Sequence, residues 1–375
     1  MIPASPEQLL LELVAIESPS GAEHHIADYV SQVLRAWKLD VERLGNTTVA
    51  TLERGRGPKL LLNTHVDTVP IGAGWTRNPL GGSWEGECLY GRGANDAKVS
   101  VAAMMWAMRE SLEGRIPDGT VQLALTEGEE TTHAGITKVI ERLGLPDGAV
   151  TGEPTGLQVV RAQSGLAVLS AVWHGSSCHA AHVARVPHEN ALLAAASEIS
   201  QTAPWIALDG THPLLGASTI TATVLHAGER HNVVPDRAEA LFDARLSPLH
   251  SAGDAEAVLR RRLPRAEVSV KSARLRPFET AAGHPLVRAA LAAAGRENAI
   301  GSSTMSDLAL LQGVPSIKCG PGETARSHTP DEFVNRSELL AGTVFYTRFV
   351  PLALEALVAV PEHVSCPVRR TRKTL

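Results

Sequence analysis

Lys59-Leu60-Leu61-Leu62-Asn63-Thr64-His65-Val66-Asp67-Thr68-Val69-Pro70 is a short apolar run that closes on a histidine, an aspartate and a proline. Bounded by turn residues, such a run predicts a buried strand over 59–65 whose C-terminal end presents polar side chains. Ligands of open α/β sheets bind at such ends. His65 and Asp67 sit two apart, so on an extended backbone both side chains leave the same face. A carboxylate beside a histidine can hold one ring nitrogen and aim the other at a metal. The competing reading is a strand-end histidine bonded to its neighbour for structural reasons alone.

Moving outward, leucine, valine and isoleucine recur at helical spacing over 6–37, broken at Ser18-Pro19-Ser20-Gly21, which predicts two helices joined by a turn and a first strand near Val49. Downstream, 98–112 reads as a helix, 121–125 as a strand and 134–143 as a helix, the alternation of an α/β domain. From Gly165 the texture changes. LAVLSAVWHG, TITATVLHAG, AEALFDARLS and AEVSVKSARL read as strands, with a helix over 190–201, making an α+β unit of ordinary domain size. After Pro277 the α/β pattern returns, with a helix over 285–295, an apolar run at 314–318 and a last helix over 336–358. The expected organisation is therefore one domain over 1–164 and 278–375, interrupted by a second over 165–277. No internal repeat or low-complexity tract is present, and the basic end at Arg369, Arg370, Arg372 and Lys373 reads as a solvated tail.

Composition narrows the partners. The 375 residues are 44% hydrophobic and 20% charged, a balance for folding around aliphatic cores rather than for disorder. A net charge of −5 supplies no global basic field, so neither nucleic acid nor an anionic membrane is an expected partner. No stretch reaches the roughly 20 apolar residues of a membrane-spanning helix. Glu7, Glu12 and Glu17 interrupt the first apolar segment, which is expected not to be a signal peptide. Cys88, Cys178, Cys319 and Cys366 are dispersed with no CxxC, which fits a reducing, cytoplasmic setting better than a disulfide framework or a thiolate zinc site.

Candidate chemistry gathers at strand ends and loops of the α/β part. Asp96 lies where the loop Gly91-Arg92-Gly93-Ala94-Asn95-Asp96 enters a helix, and the loop matches neither GxGxxG nor a P-loop. Glu129 and Glu130 follow the strand VQLAL and point in divergent directions, so one can bind a metal while the other handles a proton. A solvated acidic turn is the plainer reading of Glu127, Glu129 and Glu130, and a turn carboxylate that of Glu153. His328 lies in a glycine-proline loop after the apolar run at 314–318. Two histidines and three carboxylates of this mix suit zinc or cobalt, and a bridging carboxylate is the usual way to hold two ions roughly 3.5–4 Å apart. A separate metal site at His179, His182 and His188 is disfavoured, since there is no HExxH and only Glu189 nearby. His24 and His25 read as helix surface.

The motifs THVDTVP, GRGANDAK, GEE, TGEPT, HNVVPD and GPGETARSHTPDE occur in one order across nearly the whole chain. This pattern resembles the co-catalytic metallohydrolase family that contains acetylornithine deacetylase, succinyl-diaminopimelate desuccinylase, aminoacylase and carboxypeptidase G. The resemblance implies a three-layer α/β catalytic domain with a mixed sheet and a two-metal site, plus an inserted α+β lid that commonly mediates a homodimer. It implies that Asp96 bridges two divalent ions, zinc or cobalt. His65 and Glu153 would complete one site, and Glu130 with His328 the other. Asp67 would orient His65 and Glu129 would be the general base. His179 resembles the lid histidine that reaches the partner subunit's site to steady an oxyanion, and Asn232 and Arg245 resemble lid residues near a substrate carboxylate. A strand-edge salt bridge is the alternative for Arg245. Val99 stands where the family usually has glycine, and HAAHVARVPHEN is less regular than the common lid form.

The implied reaction is hydrolysis of an N-acyl amino acid. Ser303-Thr304-Met305-Ser306-Asp307-Leu308 with KCGPGETARSH looks like the acetylornithine deacetylase branch, so the favoured substrate is N2-acetyl-L-ornithine, in arginine synthesis. A desuccinylase, a hydrolase freeing lysine or ornithine from an amino-group carrier protein, and a broad aminoacylase or dipeptidase stay open. So does an inactive binding homologue, although every ligand position is filled.

Overall fold

The computed structural model describes residues 2–358; Cys366 and the basic tail lie outside the described residues. The chain runs α1 (Pro6–Val14), α2 (His24–Ala36), β1 (Asp40–Leu44), β2 (Thr47–Arg54), β3 (Lys59–His65), β4 (Cys88–Tyr90), α3 (Val99–Glu113), β5 (Gly119–Thr126), α4 (Ala134–Leu143), β6 (Gly148–Thr151) and β7 (Val160–Gln163). It continues through β8 (Gly165–His174), α5 (Ala191–Ser200), β9 (Ile206–His212), β10 (Gly216–Ala227), β11 (Arg237–Leu246), α6 (Ala252–Arg262), β12 (Glu267–Leu275) and β13 (Phe278–Glu279). Last come α7 (Pro285–Ala294), β14 (Ile300–Ser302), β15 (Ser316–Lys318), β16 (Phe333–Asn335) and α8 (Arg336–Val358).

Two compact units emerge. Among the described residues, the first comprises 2–161, 280–300 and 306–358; the second comprises Ala162–Glu279 and Gly301–Met305. The short return of 301–305 to the second unit was not anticipated from sequence. Ser164 N–H donates to the Ser302 carbonyl (3.0 Å), a pairing between segments nearly 140 positions apart that no local pattern announces.

The first unit is built on a mixed sheet in the order β1-β2-β5-β3-β6-β15-β7. β3 pairs in parallel with both β5 and β6, and β6 with β15, whereas β1, β2 and β7 join antiparallel. Central β3 explains its own sequence. Leu60 and Leu62 enter one core, with α1, α3 and α8, while Leu61 enters another, with Ile136 and Val139 of α4, so positions 60–62 must all be apolar. Helices on both faces of a mixed sheet make this an α/β fold.

α1 begins at the Ser5 side chain, which accepts from Gln8 N–H (3.2 Å), with Pro6 at its first position. α8 is long and apolar enough to cross a bilayer by length and composition, contrary to the sequence expectation. Its Leu339, Phe345, Tyr346, Phe349, Val350 and Leu354 are buried against the sheet core, which makes it a core helix.

The second unit is a five-stranded antiparallel sheet, β12-β8-β11-β10-β9, whose core takes Trp173, Phe242, Ala194 and Leu259 from strands and helices alike. Two of its elements escaped the sequence reading. β9 contains Asp209-Gly210, which reads as a turn, and α6 carries three consecutive arginines and buries only Ala255 and Leu259. In the first unit β1 was missed for a similar reason: it is an edge strand with no fully buried residue.

Candidate metal centre

β3 ends at His65, so Asp67 lies just past the strand rather than on it. His65 is 1% exposed, and its Nδ1 donates to the backbone carbonyl of Asp67 (2.9 Å), with the Asp67 carboxylate 3.5 Å away. A carbonyl can only accept, so Nδ1 carries a proton and Nε2 is the ring nitrogen turned toward the cluster. Nε2 is 3.2 Å from Asp96 Oδ1 and 4.0 Å from Glu153 Oε1.

The Asp67 carboxylate does more than face His65. Its Oδ1 accepts from Glu129 N–H (3.0 Å), and its Oδ2 from Glu130 N–H (3.2 Å) and the Ser20 hydroxyl (2.7 Å). One buried carboxylate thereby sets the turn that sends Glu129 and Glu130 in different directions. Burial acts to raise its pKa, but His65, Ser20 and the amide of Glu129 outweigh it and hold Asp67 below the usual carboxylate range.

Asp96 is placed by Glu332, whose Oε1 accepts from Asn95 N–H and Asp96 N–H (2.9 Å each). Glu332 Oε2 accepts from Gly93 N–H (3.1 Å) and Arg92 Nη1 (2.7 Å). Gly93 allows this close turn: its φ is +80°, and an added Cβ would lie 2.6 Å from Thr68 Cγ2. The Asp96–Ala97 peptide is cis. Asn95 ties the same loop to the His328 loop, donating to the Glu323 carbonyl (3.0 Å) and accepting from Glu323 N–H (2.8 Å).

His328 has a φ of +63°, a left-handed conformation that a non-glycine residue holds only when its surroundings impose it. Its Nε2 is 2.9 Å from Glu130 Oε1 and 3.6 Å from Asp96 Oδ2. The Glu130 carboxylate, with Asp96, raises its pKa against the effect of burial.

The donors fall into two triads, His65–Asp96–Glu153 and Asp96–Glu130–His328, each with ligand atoms within 4.8 Å of one another. Asp96 belongs to both, and turns a different oxygen to each histidine. Glu153 Oε1 is buried with no hydrogen-bond partner. Burial, with Asp96 nearby and despite His65, pushes the Glu153 carboxyl up to about 8; burial and the Glu153 charge likewise push Glu129 well above its ordinary value. Crowded carboxylates with an orphaned oxygen are what a pair of cations would neutralise, and two imidazoles with three carboxylates are a suitable donor set for zinc or cobalt. The residues fit a two-metal centre.

Sequence reasoning assigned no role to His133, Asp307, Lys318 or Glu332. Lys318 is buried on β15, and its charge faces Glu153, Glu129 and Asp96; burial lowers its pKa. His133 joins Glu129 and Asp307 in a third compact group. Glu332 and Asp307 lie inside stretches already singled out, HTPDE and TMSD, but buried clamps of this kind carry no spacing signature.

The remaining predicted residues lie in the second unit. His179 is exposed; its Nδ1 accepts from Ala181 N–H (3.1 Å), and the backbone of Asn232 accepts from Ala180 N–H (2.9 Å), so these two positions adjoin. Arg245 forms two hydrogen bonds to Asp243 (2.8 and 3.1 Å). It does so on β11, an interior strand, so the salt bridge exists but not at a sheet edge. Among the described residues, His179, His182 and His188 form no metal-ligand group. His24 and His25 are exposed in the first turn of α2.

The sheet and the paired donor triads define an α/β protein with a donor set for two metals. The chain belongs to peptidase family M20/M25/M40, whose family model matches residues 61–351. It is 29% identical to a LysW-lysine/LysW-ornithine hydrolase of Pyrobaculum aerophilum over 95% of this chain and 99% of that one. It is 32% identical to a succinyl-diaminopimelate desuccinylase of Gluconobacter oxydans, over 72% and 75% of the two chains. A tripeptidase structure from Staphylococcus aureus superposes with a TM-score of 0.77 at 23% identity, covering 93% of this chain and 98% of that one. A dinuclear metal-binding peptidase of Bacillus subtilis gives 0.75 at 17% identity, covering 94% and 98%. The chain is thus a hydrolase of amide bonds.

Proposed function

We propose that this hydrolase frees a diamino acid, such as ornithine, lysine or diaminopimelate, from its N-acyl derivative, with N2-acetyl-L-ornithine the first candidate substrate. The observation that carries the metal-dependent chemistry is the shared Asp96, with one oxygen toward His65 and the other toward His328. The substrate class is supported by the TMSD and KCGPGETARSH stretches and by the two sequence relatives whose names carry lysine, ornithine or diaminopimelate. Release from a carrier protein is the second reading, favoured by the near full-length match to the Pyrobaculum relative.

In this reading His65, Asp96 and Glu153 hold one divalent ion and Asp96, Glu130 and His328 the other, zinc or cobalt. Such a pair, when bound, supplies Lewis acidity for carbonyl polarisation and for acidifying water. Glu129 belongs to neither triad and is free to take a proton from the attacking water and return it to the leaving nitrogen, so that amide plus water gives carboxylate plus amine. Asp67 keeps Glu129 and Glu130 apart by holding their backbone N–H groups. Assigned by the family resemblance, His179 steadies the oxyanion across a homodimer formed by the inserted unit, and Asn232 and Arg245 bind the substrate carboxylate.

The test combines metal titration with a panel of N2-acetyl-L-ornithine, N-acetylcitrulline, N-succinyl-diaminopimelate and N-acetylmethionine, scored by amine release. Two metals per chain and a clear preference for the acylated diamino acids are expected. Comparable rates on all four would replace this reading with a broad aminoacylase. Loading the metals should also raise Tm, because binding at a hundredfold above Kd adds about 2.7 kcal/mol to the folded state. A chelated protein with unchanged Tm and no metal uptake would remove the two-metal assignment.

A further inference from the structure

His133 is a buried histidine four positions after Glu129, at the N-terminus of α4, with a φ of +54°. Its backbone N–H donates to the Gly128 carbonyl (2.7 Å), closing the turn that carries Glu129 back on itself. Its Nδ1 donates to Asp307 Oδ1 (2.9 Å) and lies 3.8 Å from Glu129 Oε1. Asp307 is fixed independently, since its Oδ2 accepts from Asn63 Nδ2 and Thr126 Oγ1 (3.0 Å each). The ring is therefore locked by an anchored carboxylate that takes its Nδ1 proton, and the same nitrogen stands beside the Glu129 carboxylate at 3.8 Å, a close polar contact rather than a hydrogen bond.

We infer that His133, held by Asp307, is a positioning residue that fixes the orientation of the Glu129 carboxylate beside the metal donors. This rests on the reading of Glu129 as the proton carrier. Asp307 does not need His133 to be hydrogen-bonded, because Asn63 and Thr126 already supply donors. A left-handed, non-glycine residue is also a costly choice for a mere filler. What the arrangement accomplishes is to restrict a side chain that would otherwise rotate between its neighbours. Proton transfer depends on such restriction, because a misplacement of about 1 Å can cost roughly a hundredfold in rate.

Two variants separate positioning from folding, since glycine and asparagine both accept a positive φ. Asparagine also places a donor near the position of Nδ1, and glycine does not. His133→Gly is expected to keep two metals per chain by elemental analysis, with a Tm lowered by the cavity that the lost ring leaves. On the best substrate of the panel, its KM should stay within about threefold and its kcat fall about tenfold to a hundredfold. His133→Asn should recover most of that loss. In a Glu129→Gln background, His133→Gly should cause little further loss, as expected of residues acting as one unit. Unchanged kcat in His133→Gly overturns the inference, as does a joint fall of metal content, Tm and kcat that asparagine does not rescue, which marks a structural anchor. If Glu129→Gln itself keeps full turnover, the proton-carrier reading falls and takes this inference with it. An inactive Glu129→Gln beside a fully active His133→Gly overturns the positioning role alone.

Discussion

Glu129→Gln is expected to reduce kcat by about 10²–10⁴-fold while leaving metal content intact, the range that a lost general base commands. Glutamine keeps the size and shape of the side chain but cannot take a proton. Glu129 lies outside the two triads that share Asp96, and its own group with His133 and Asp307 shares no donor with them, so removing its charge takes no ligand from the proposed pair. Its backbone N–H remains on Asp67, so the turn that aims Glu130 is preserved. Stability should not fall: burial and the neighbouring Glu153 make a charge at Glu129 unfavourable, and the neutral amide removes it. The decisive measurement pairs single-turnover kinetics with elemental analysis of the same sample. Wild-type turnover would transfer the base role elsewhere, and loss of one metal would make Glu129 a ligand.

Glu332→Ala is expected to have the largest effect on the fold of the first unit. The carboxylate accepts from three backbone N–H groups of the Asp96 loop and pairs with buried Arg92, at 1% and 6% side-chain exposure. Removing one partner of a buried ion pair strands the other charge, at a cost of about 3–5 kcal/mol. The orphaned N–H groups add to that cost. Tm should drop by something on the order of ten degrees. Asp96, no longer held, should lose its place between His65 and His328, so metal affinity should fall even where the protein remains folded. Glu332→Gln is the informative companion, because its carbonyl can still accept from Asn95 and Asp96 while Arg92 faces an uncharged group. An intermediate Tm and partial metal retention are expected. Full metal affinity in Glu332→Ala would show that the loop is held by its glycines and by Asn95 instead.

Much of this was legible in order along the chain. The strand at 59–65, the helices at 134–143 and 336–358 and the turn at 18–21 are bounded by residues whose local chemistry permits few alternatives. Edge strand β1 and the Asp-Gly-containing β9 were not legible, because their positions are decided by neighbours, whereas polar α6 buries too little for a clear period although Ser251 and Asp254 form a local capping box at its start. The same division holds at the site. His65, Asp96, Glu129, Glu130, Glu153 and His328 are singled out by their convergence and by the order of the motifs that hold them, since each alone has a plainer structural reading. Glu332, His133 and Lys318 do not, because a buried carboxylate that clamps a loop, a histidine that braces a side chain and a lysine that balances charge are defined only by what surrounds them.

From sequence alone came the α/β class, the family resemblance and a set of donors suited to divalent metals, since residue type and motif order record chemistry directly. Tertiary structure decided that Asp96 turns one oxygen to each histidine, that Asp67 sends two adjacent glutamates apart and that Glu332 and His133 brace them. Those relations are distances between segments up to 240 positions apart. They exist only once sheet pairing and core packing have brought the loops together, and no local pattern in the chain encodes a distance.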